Sequence, residues 1–125
     1  ALTVTVSVSN HGKLLPFQAI YGGKTDQSSP NRTTPNYDNT INAGFLFQHS
    51  GTATYWANQA TMQDFINRVI APYFSRMKTK LGLPLQQKSI WQIDVWSVHR
   101  SLEFRDWLKK KHPTILLLFV SAGCT

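Results

Sequence analysis

The segment from Ile90 to Ser101, IWQIDVWSVHRS, decides the fold predicted for this chain. Its apolar, β-prone residues predict a buried central strand with one carboxylate, Asp94, in the middle. A buried carboxylate is costly unless it is paired, protonated or bound to a metal. His99 and Arg100 follow just before a helical pattern, and ligands of open α/β sheets collect at the carboxyl ends of strands. This segment is therefore the predicted location of a functional site.

Two strands are predicted at the start of the chain. Residues 2–9, LTVTVSVS, alternate apolar and polar side chains with the period of a half-buried strand. Turn-forming residues at 10–13 separate them from a second apolar run at 14–21, LLPFQAIY. This spacing predicts an antiparallel hairpin. The polar segment that follows, around 24–44, is predicted to be a long surface loop.

Two helices and a last strand complete the predicted fold. Apolar residues at three- and four-residue spacing predict a helix from Thr61, its N-cap, to Leu81, with a kink at Pro72. A second amphipathic helix is predicted at 101–111. The run TILLLFV at 114–120 is apolar on both faces, which is typical of a parallel strand covered by helices. The order predicts a single α/β domain, 1–125, whose mixed sheet combines the hairpin with two parallel strands.

Composition narrows the class of protein. The 125 residues carry 13 Lys and Arg against 6 Asp and Glu, a net charge of +7, which favours polyanionic partners. One cysteine, Cys124, excludes an internal disulfide framework and a cysteine-based zinc site. The longest apolar run is far shorter than the ~18 residues that a membrane span needs, so no membrane association is predicted.

Parts of this sequence resemble a known family. The words DVWSVHRS place His99 five residues after Asp94, and the hairpin GKLLPFQAIYGGKT ends in Gly-Gly-Lys at 22–24. Together with the order of the elements and the closing GCT, they resemble the catalytic domain of DDE-superfamily transposases, in the pogo/Tigger-related branch. Val95 stands where that family commonly has Asn. The resemblance covers most of the chain and implies a ribonuclease H-like fold.

The same resemblance implies part of a metal site. The family's chemistry resembles two-metal phosphoryl transfer, in which three carboxylates hold two Mg²⁺ or Mn²⁺ ions. Asp94 matches the middle carboxylate and His99 the family's histidine, so both are candidate catalytic residues, with Asp94 as the metal ligand. The family's first strand and its other two carboxylates are expected beyond the two ends of this sequence. Because the family's first strand would be missing from the sheet, we expect either a rearranged sheet or a sheet that is completed in a homodimer.

DNA or RNA is the predicted partner. The candidate phosphate-binding side chains are basic and lie near the predicted strand and helix ends. They are Lys24, Arg100, Lys109, Lys110 and Lys111. Each candidate also has a plainer interpretation. A lysine run at a helix end is commonly solvated, His99 suits a structural hydrogen bond, and backbone amides or an Arg can satisfy a buried Asp94.

Two hypotheses of different classes follow. The first is a transposase-derived nucleic-acid-binding protein, nuclear in location, with a partial metal-nuclease site whose catalysis two missing carboxylates argue against. The second is a non-catalytic binding protein on the same scaffold, secreted from the cell and glycosylated at the sequon that begins with Asn31. Salt-sensitive binding to nucleic acid distinguishes the first from the second.

Overall fold

The computed structural model describes residues 2–94 and 101–121. The chain divides into two compact units, Ala1–Val69 and Ile70–Thr125. This division does not test the single domain expected from the sequence, which stays a prediction. Both units contain helices and strands, so the protein has a small α/β fold.

A mixed, three-stranded sheet forms the centre of the first unit. It contains β1 (Leu2–Thr5), β2 (Gln18–Tyr21) and β3 (Leu46–His49), in that order across the sheet. The pairing of β1 with β2 is antiparallel, which confirms the predicted hairpin, although β1 ends four residues earlier and β2 begins four residues later than predicted. The apolar side chains of β1, Leu2 and Val4, are exposed, so the predicted burial of that face is wrong. The pairing of β2 with β3 is parallel. The apolar run that forms β3 is short, and no strand is predicted there from the sequence.

The polar segment between β2 and β3 contains more regular structure than predicted. A 3₁₀ turn covers Asp26–Ser28, and a short helix, α1, covers Tyr37–Asn42. Most of the segment is exposed, in agreement with a surface position. The predicted surface loop therefore contains two short helical segments.

The predicted helix at 61–81 is divided by a π-helical segment. Helix α2 covers Gln59–Phe65, the π-helical segment covers Ile66–Ile70, and α3 covers Ala71–Leu81. Proline at the second position of α3 has no N–H, and its ring clashes with the carbonyl four residues earlier in a regular helix. That carbonyl lies in the π-helical segment, which is where the irregularity occurs.

The predicted N-cap of this helix is wrong. Asn58 caps α2: its side chain accepts from the Thr61 amide at 3.0 Å, and the Thr61 hydroxyl accepts from the Asn58 amide at 2.9 Å. Thr61 is therefore the third helical residue of a capping box. Helix α3 ends where predicted, because Gly82 adopts the left-handed conformation, with φ of 67°, that an αL C-cap requires.

The second unit also contains a parallel strand pair joined through a helix. Strands β4 (Ser89–Asp94) and β5 (Ile115–Val120) are parallel, and α4 (Leu102–Lys111) lies between them in sequence. The Ser101 hydroxyl caps α4 by accepting from the Phe104 amide at 3.2 Å. All three elements contribute buried apolar residues. They are Trp91, Ile93, Phe104, Leu108 and Ile115.

The outer face of the β4–β5 pair contradicts the sequence prediction of strands covered on both sides. Ile90 is 64% exposed, and Leu116 and Leu118 are 46% and 52% exposed. Burial alternates along both strands, so only one face packs on a core. Within the described residues β4 pairs with β5 and with no strand of the first sheet, so the predicted single sheet is also wrong. A homodimer that completes a sheet stays a prediction.

Among residues 2–94 and 101–121, no helix combines the length and the apolar content that crossing a bilayer requires.

Candidate functional site

Asp94 ends strand β4 and is exposed. It lies opposite Val120 in the parallel pairing, on the face of β4 that also carries Ile90. Trp91 and Ile93 occupy the alternate positions and are buried. The prediction of a carboxylate buried within the strand is therefore wrong, since the period of two directs the acid to the opposite side from the core.

The described residues do not bring Asp94 together with the further ligands that the implied metal site needs. Among the described residues, no group of three or more His, Cys, Asp or Glu side chains lies together in a way that could hold a metal ion. One carboxylate binds Mg²⁺ only with further oxygen ligands, such as substrate phosphates. Residues 95–100, which include His99 and Arg100, lie outside the described residues.

The three consecutive lysines of α4 are exposed. Lys109, Lys110 and Lys111 form the last turn of the helix, where positive charge is favourable beside the helix dipole. They belong to a strongly basic unit: residues 70–125 contain nine Lys and Arg against three acids, a net charge of +6. Residues 1–69 contain four against three, a net charge of +1. Most of the protein's excess charge is therefore concentrated in the second unit.

A histidine lies directly after this lysine run. The His112 ring meets the Trp107 ring edge-on, with centroids 5.6 Å apart and an angle of 65° between the planes. Partial burial lowers the pKa of His112 below its usual 6.5, and the charge of Lys111 lowers it further. His112 is therefore neutral at a pH where an ordinary histidine begins to take up a proton.

The lowered pKa predicts a specific acid sensitivity. An unfolded chain binds the His112 proton more readily, so this histidine's contribution to stability is present above pH 6.5 and is lost as the pH falls through the folded-state pKa. We expect His112→Gln to reduce the loss of stability between neutral and mildly acidic pH in urea denaturation. His11→Gln, at an exposed position, is the control. Identical pH profiles for His112→Gln and the wild-type protein would contradict the prediction.

In the first unit, backbone hydrogen bonds join the two loops at the carboxyl ends of β2 and β3. The Gly23 amide donates to the Thr52 carbonyl at 2.7 Å, and the Gly51 amide donates to the Gly23 carbonyl at 2.9 Å. Gly23 has φ of 149°, and a side chain there would collide with the Ser28 hydroxyl, so glycine is required. These bonds join the turn after β2, which carries the exposed Lys24, to the loop after β3.

A histidine–carboxylate pair lies at the same end of the sheet. His49 Nε2 is 3.3 Å from Asp26 Oδ1, and the Asp26 side chain is fully exposed. The His49 Nδ1 atom is buried and has no hydrogen-bond partner among the described residues. Sequence reasoning did not predict this pair. Its two members are separated by 23 positions and meet only because β3 is parallel to β2.

The loop after β3 also presents an aromatic pair. The rings of Tyr55 and Trp56 are stacked, with centroids 5.2 Å apart and planes 26° from parallel. Trp56 is 56% exposed. A large aromatic ring left in water is more informative about function than an exposed aliphatic side chain, because burial of such rings dominates binding energetics. By contrast, Trp91 is buried in the core of the second unit.

Comparison of the chain with protein-family models, curated protein sequences and solved structures finds no match.

Proposed function

We propose that this protein binds nucleic acid, chiefly through the basic surface of its second unit. The observation that carries the proposal is the concentration of charge: residues 70–125 have a net charge of +6, and the lysines of the last turn of α4 are exposed. Neutralising phosphates with lysine releases condensed counterions, which drives association without any sequence-specific contact. Nearly neutral surfaces have no comparable driving force.

A transposase-derived origin with a ribonuclease H-like fold belongs to the same proposal. The parallel β4–β5 pair, with α4 between the strands in sequence, supports it, as does the position of Asp94 at the carboxyl end of β4. In this proposal Asp94 is a remnant of a metal site, and binding requires no Mg²⁺. Lys24 and Arg100 remain further candidates for phosphate contact.

Removing two charges from the lysine run is expected to weaken binding and its salt dependence together. For Lys109→Gln/Lys110→Gln, we expect the slope of log affinity against log salt concentration to decrease by about 2, because each phosphate contact contributes about 0.9. Fluorescence anisotropy with a labelled DNA duplex and with a labelled single strand, between ~50 and ~200 mM salt, measures this slope.

The matched control removes the same net charge from the first unit. Lys13→Gln/Arg32→Gln replaces two exposed cations there and is expected to change the slope much less. Equal slopes for the two double variants would contradict binding through the second unit, and salt-independent binding would contradict the whole proposal. Mg²⁺-dependent cleavage of the bound strand that disappears in Asp94→Asn would instead establish a nuclease.

The alternative, a secreted binding protein, is supported by one observation. The Asn31 side chain is exposed, and its carbonyl oxygen accepts from both the amide and the hydroxyl of Thr33 at 3.0 Å, within an Asn-Arg-Thr sequon. A glycan at Asn31, detected by intact-mass analysis of the protein from its natural source, together with no affinity for nucleic acid, would favour this alternative.

A further inference from the structure

Trp56 is a solvent-exposed aromatic side chain on the loop after β3. Stacking on Tyr55 supports one part of the ring system, and more than half of the residue remains in contact with solvent. Leaving an indole exposed forgoes the free energy that its burial would contribute to folding. An exposed aromatic ring is also what sequence-tolerant binding of unpaired bases uses, since every base has a flat face.

The loop that carries Trp56 is fixed by hydrogen bonds at its two ends. At one end, the buried Ser50 hydroxyl donates to the carbonyl of Thr54. At the other, the Asn58 side-chain amide donates to the Ser50 carbonyl at 2.7 Å, while the same side chain caps α2. The loop therefore closes on itself between β3 and α2. A ring on such a loop loses little conformational entropy when a ligand stacks on it.

The turn after β2 is hydrogen-bonded to this loop and carries an exposed cation, Lys24. Gly22 packs closely against it, since a methyl group added there would lie 3.0 Å from the Ala53 carbonyl oxygen. Together with the bonds between Gly23 and Thr52, this contact holds the turn that carries Lys24 against the residues just before Trp56. One end of the β2–β3 sheet thus carries both an aromatic ring and an exposed positive charge.

We infer that Trp56 stacks on an unpaired base of single-stranded nucleic acid, with Lys24 contacting a phosphate of the same strand. In a duplex the faces of the bases are already stacked on one another, so the ring has a partner only where a strand is unpaired. The inference rests on the proposed nucleic-acid binding and specifies its substrate class. In this inference the first unit recognises bases, and the second unit provides the electrostatic attraction to phosphates.

The test compares two substitutions of the same residue. Trp56→Leu keeps an apolar side chain but removes the aromatic face, and it is expected to weaken binding of a short mixed-sequence DNA strand about tenfold, whereas Trp56→Phe costs less than about threefold. Binding of the corresponding duplex should change less than about twofold in both variants, since its bases offer no open face. Anisotropy with labelled oligonucleotides at ~50 mM salt measures each affinity.

Each outcome has a defined meaning. If Trp56→Leu binds the single strand as tightly as Trp56→Phe, while the wild-type protein binds both strands and duplexes, the inference fails and the proposed function stands. If the wild-type protein binds neither form, the proposed function fails and the inference with it. A free nucleoside monophosphate that binds as tightly as the strand, with the same loss in Trp56→Leu, would overturn single-stranded nucleic acid in favour of a nucleotide ligand.

Discussion

Gln18→Leu is expected to destabilise the protein by about 3 kcal/mol, because it removes the amide from the centre of a buried polar network. Gln18 is fully buried on the central strand β2, where its Nε2 donates to the Thr61 carbonyl at 2.7 Å and to the side-chain oxygen of Gln48. Its own side-chain oxygen accepts from the Thr5 hydroxyl at 3.3 Å. Leucine fills a similar volume but removes all three of these hydrogen bonds, and a buried polar group left unsatisfied costs about 1–3 kcal/mol.

This network joins all three strands of the first sheet to α2. Beyond Gln18 it continues through Gln48, whose amide donates to the Asp64 carboxylate, and Asp64 also lies 3.3 Å from Arg68. Buried networks of this kind are stabilising when every member is satisfied and destabilising when one member is missing. The loss on substitution should therefore appear as cooperative unfolding of the first unit at a lower urea concentration.

The control for this prediction is the same substitution on the other sheet. Gln92→Leu replaces an exposed glutamine of β4 and is expected to change the free energy of unfolding by less than about 0.5 kcal/mol. Equilibrium urea denaturation followed by circular dichroism gives both values. A Gln18→Leu protein as stable as Gln92→Leu would show that the network contributes nothing net.

Lys78→Ala is expected to destabilise the second unit by about 2–3 kcal/mol, because a charged donor and its buried stem are lost together. Lys78 lies in the last turn of α3 and is 7% exposed. Its ammonium group donates to the Leu85 carbonyl and to the Thr114 hydroxyl, each at 3.2 Å. One side chain thereby holds the segment after α3 against the residue that precedes β5.

Two further substitutions separate the possible causes of this loss. Lys80→Ala removes an exposed lysine from the same helix and should change stability by less than about 0.5 kcal/mol. Lys78→Met keeps the stem and removes the cost of burying a charge, so we expect a smaller loss than for alanine. Hydrogen exchange should be faster at the Ile115 amide in Lys78→Ala. Unchanged exchange and stability in that variant would contradict the prediction.

Local patterns in the sequence were sufficient to predict several elements. The alternation from Leu2 onward predicted the hairpin, and the helical spacing of apolar residues predicted α4 and most of α2 and α3. The parallel pairing of β5 with β4 is as predicted from the apolar run of β5, although only one face of the strand is covered. These features depend on residues that are close in sequence, so their periodicity and their turn residues carry the information.

Tertiary structure decided which face of each strand is covered and which distant side chains meet. The exposure of Asp94 depends on only one face of β4 being packed, which an apolar run does not reveal. The meeting of Asp26 with His49, and of the Lys24 turn with the Trp56 loop, depends on the parallel pairing of β2 with β3. No local pattern in the sequence indicates the burial of Lys78, because its partners lie 7 and 36 residues away.

The sequence by itself determined the hairpin, the helical spacing of α2, α3 and α4, and the net charge of +7, most of which residues 70–125 carry. Only the tertiary structure decided that residues 70–125 form one compact unit, and that an exposed aromatic ring and a cation lie at one end of the other unit's sheet. The physical reason is that charge and periodicity are properties of single residues and their near neighbours. Strand pairing and packing, by contrast, join residues whose separation along the chain leaves no local pattern.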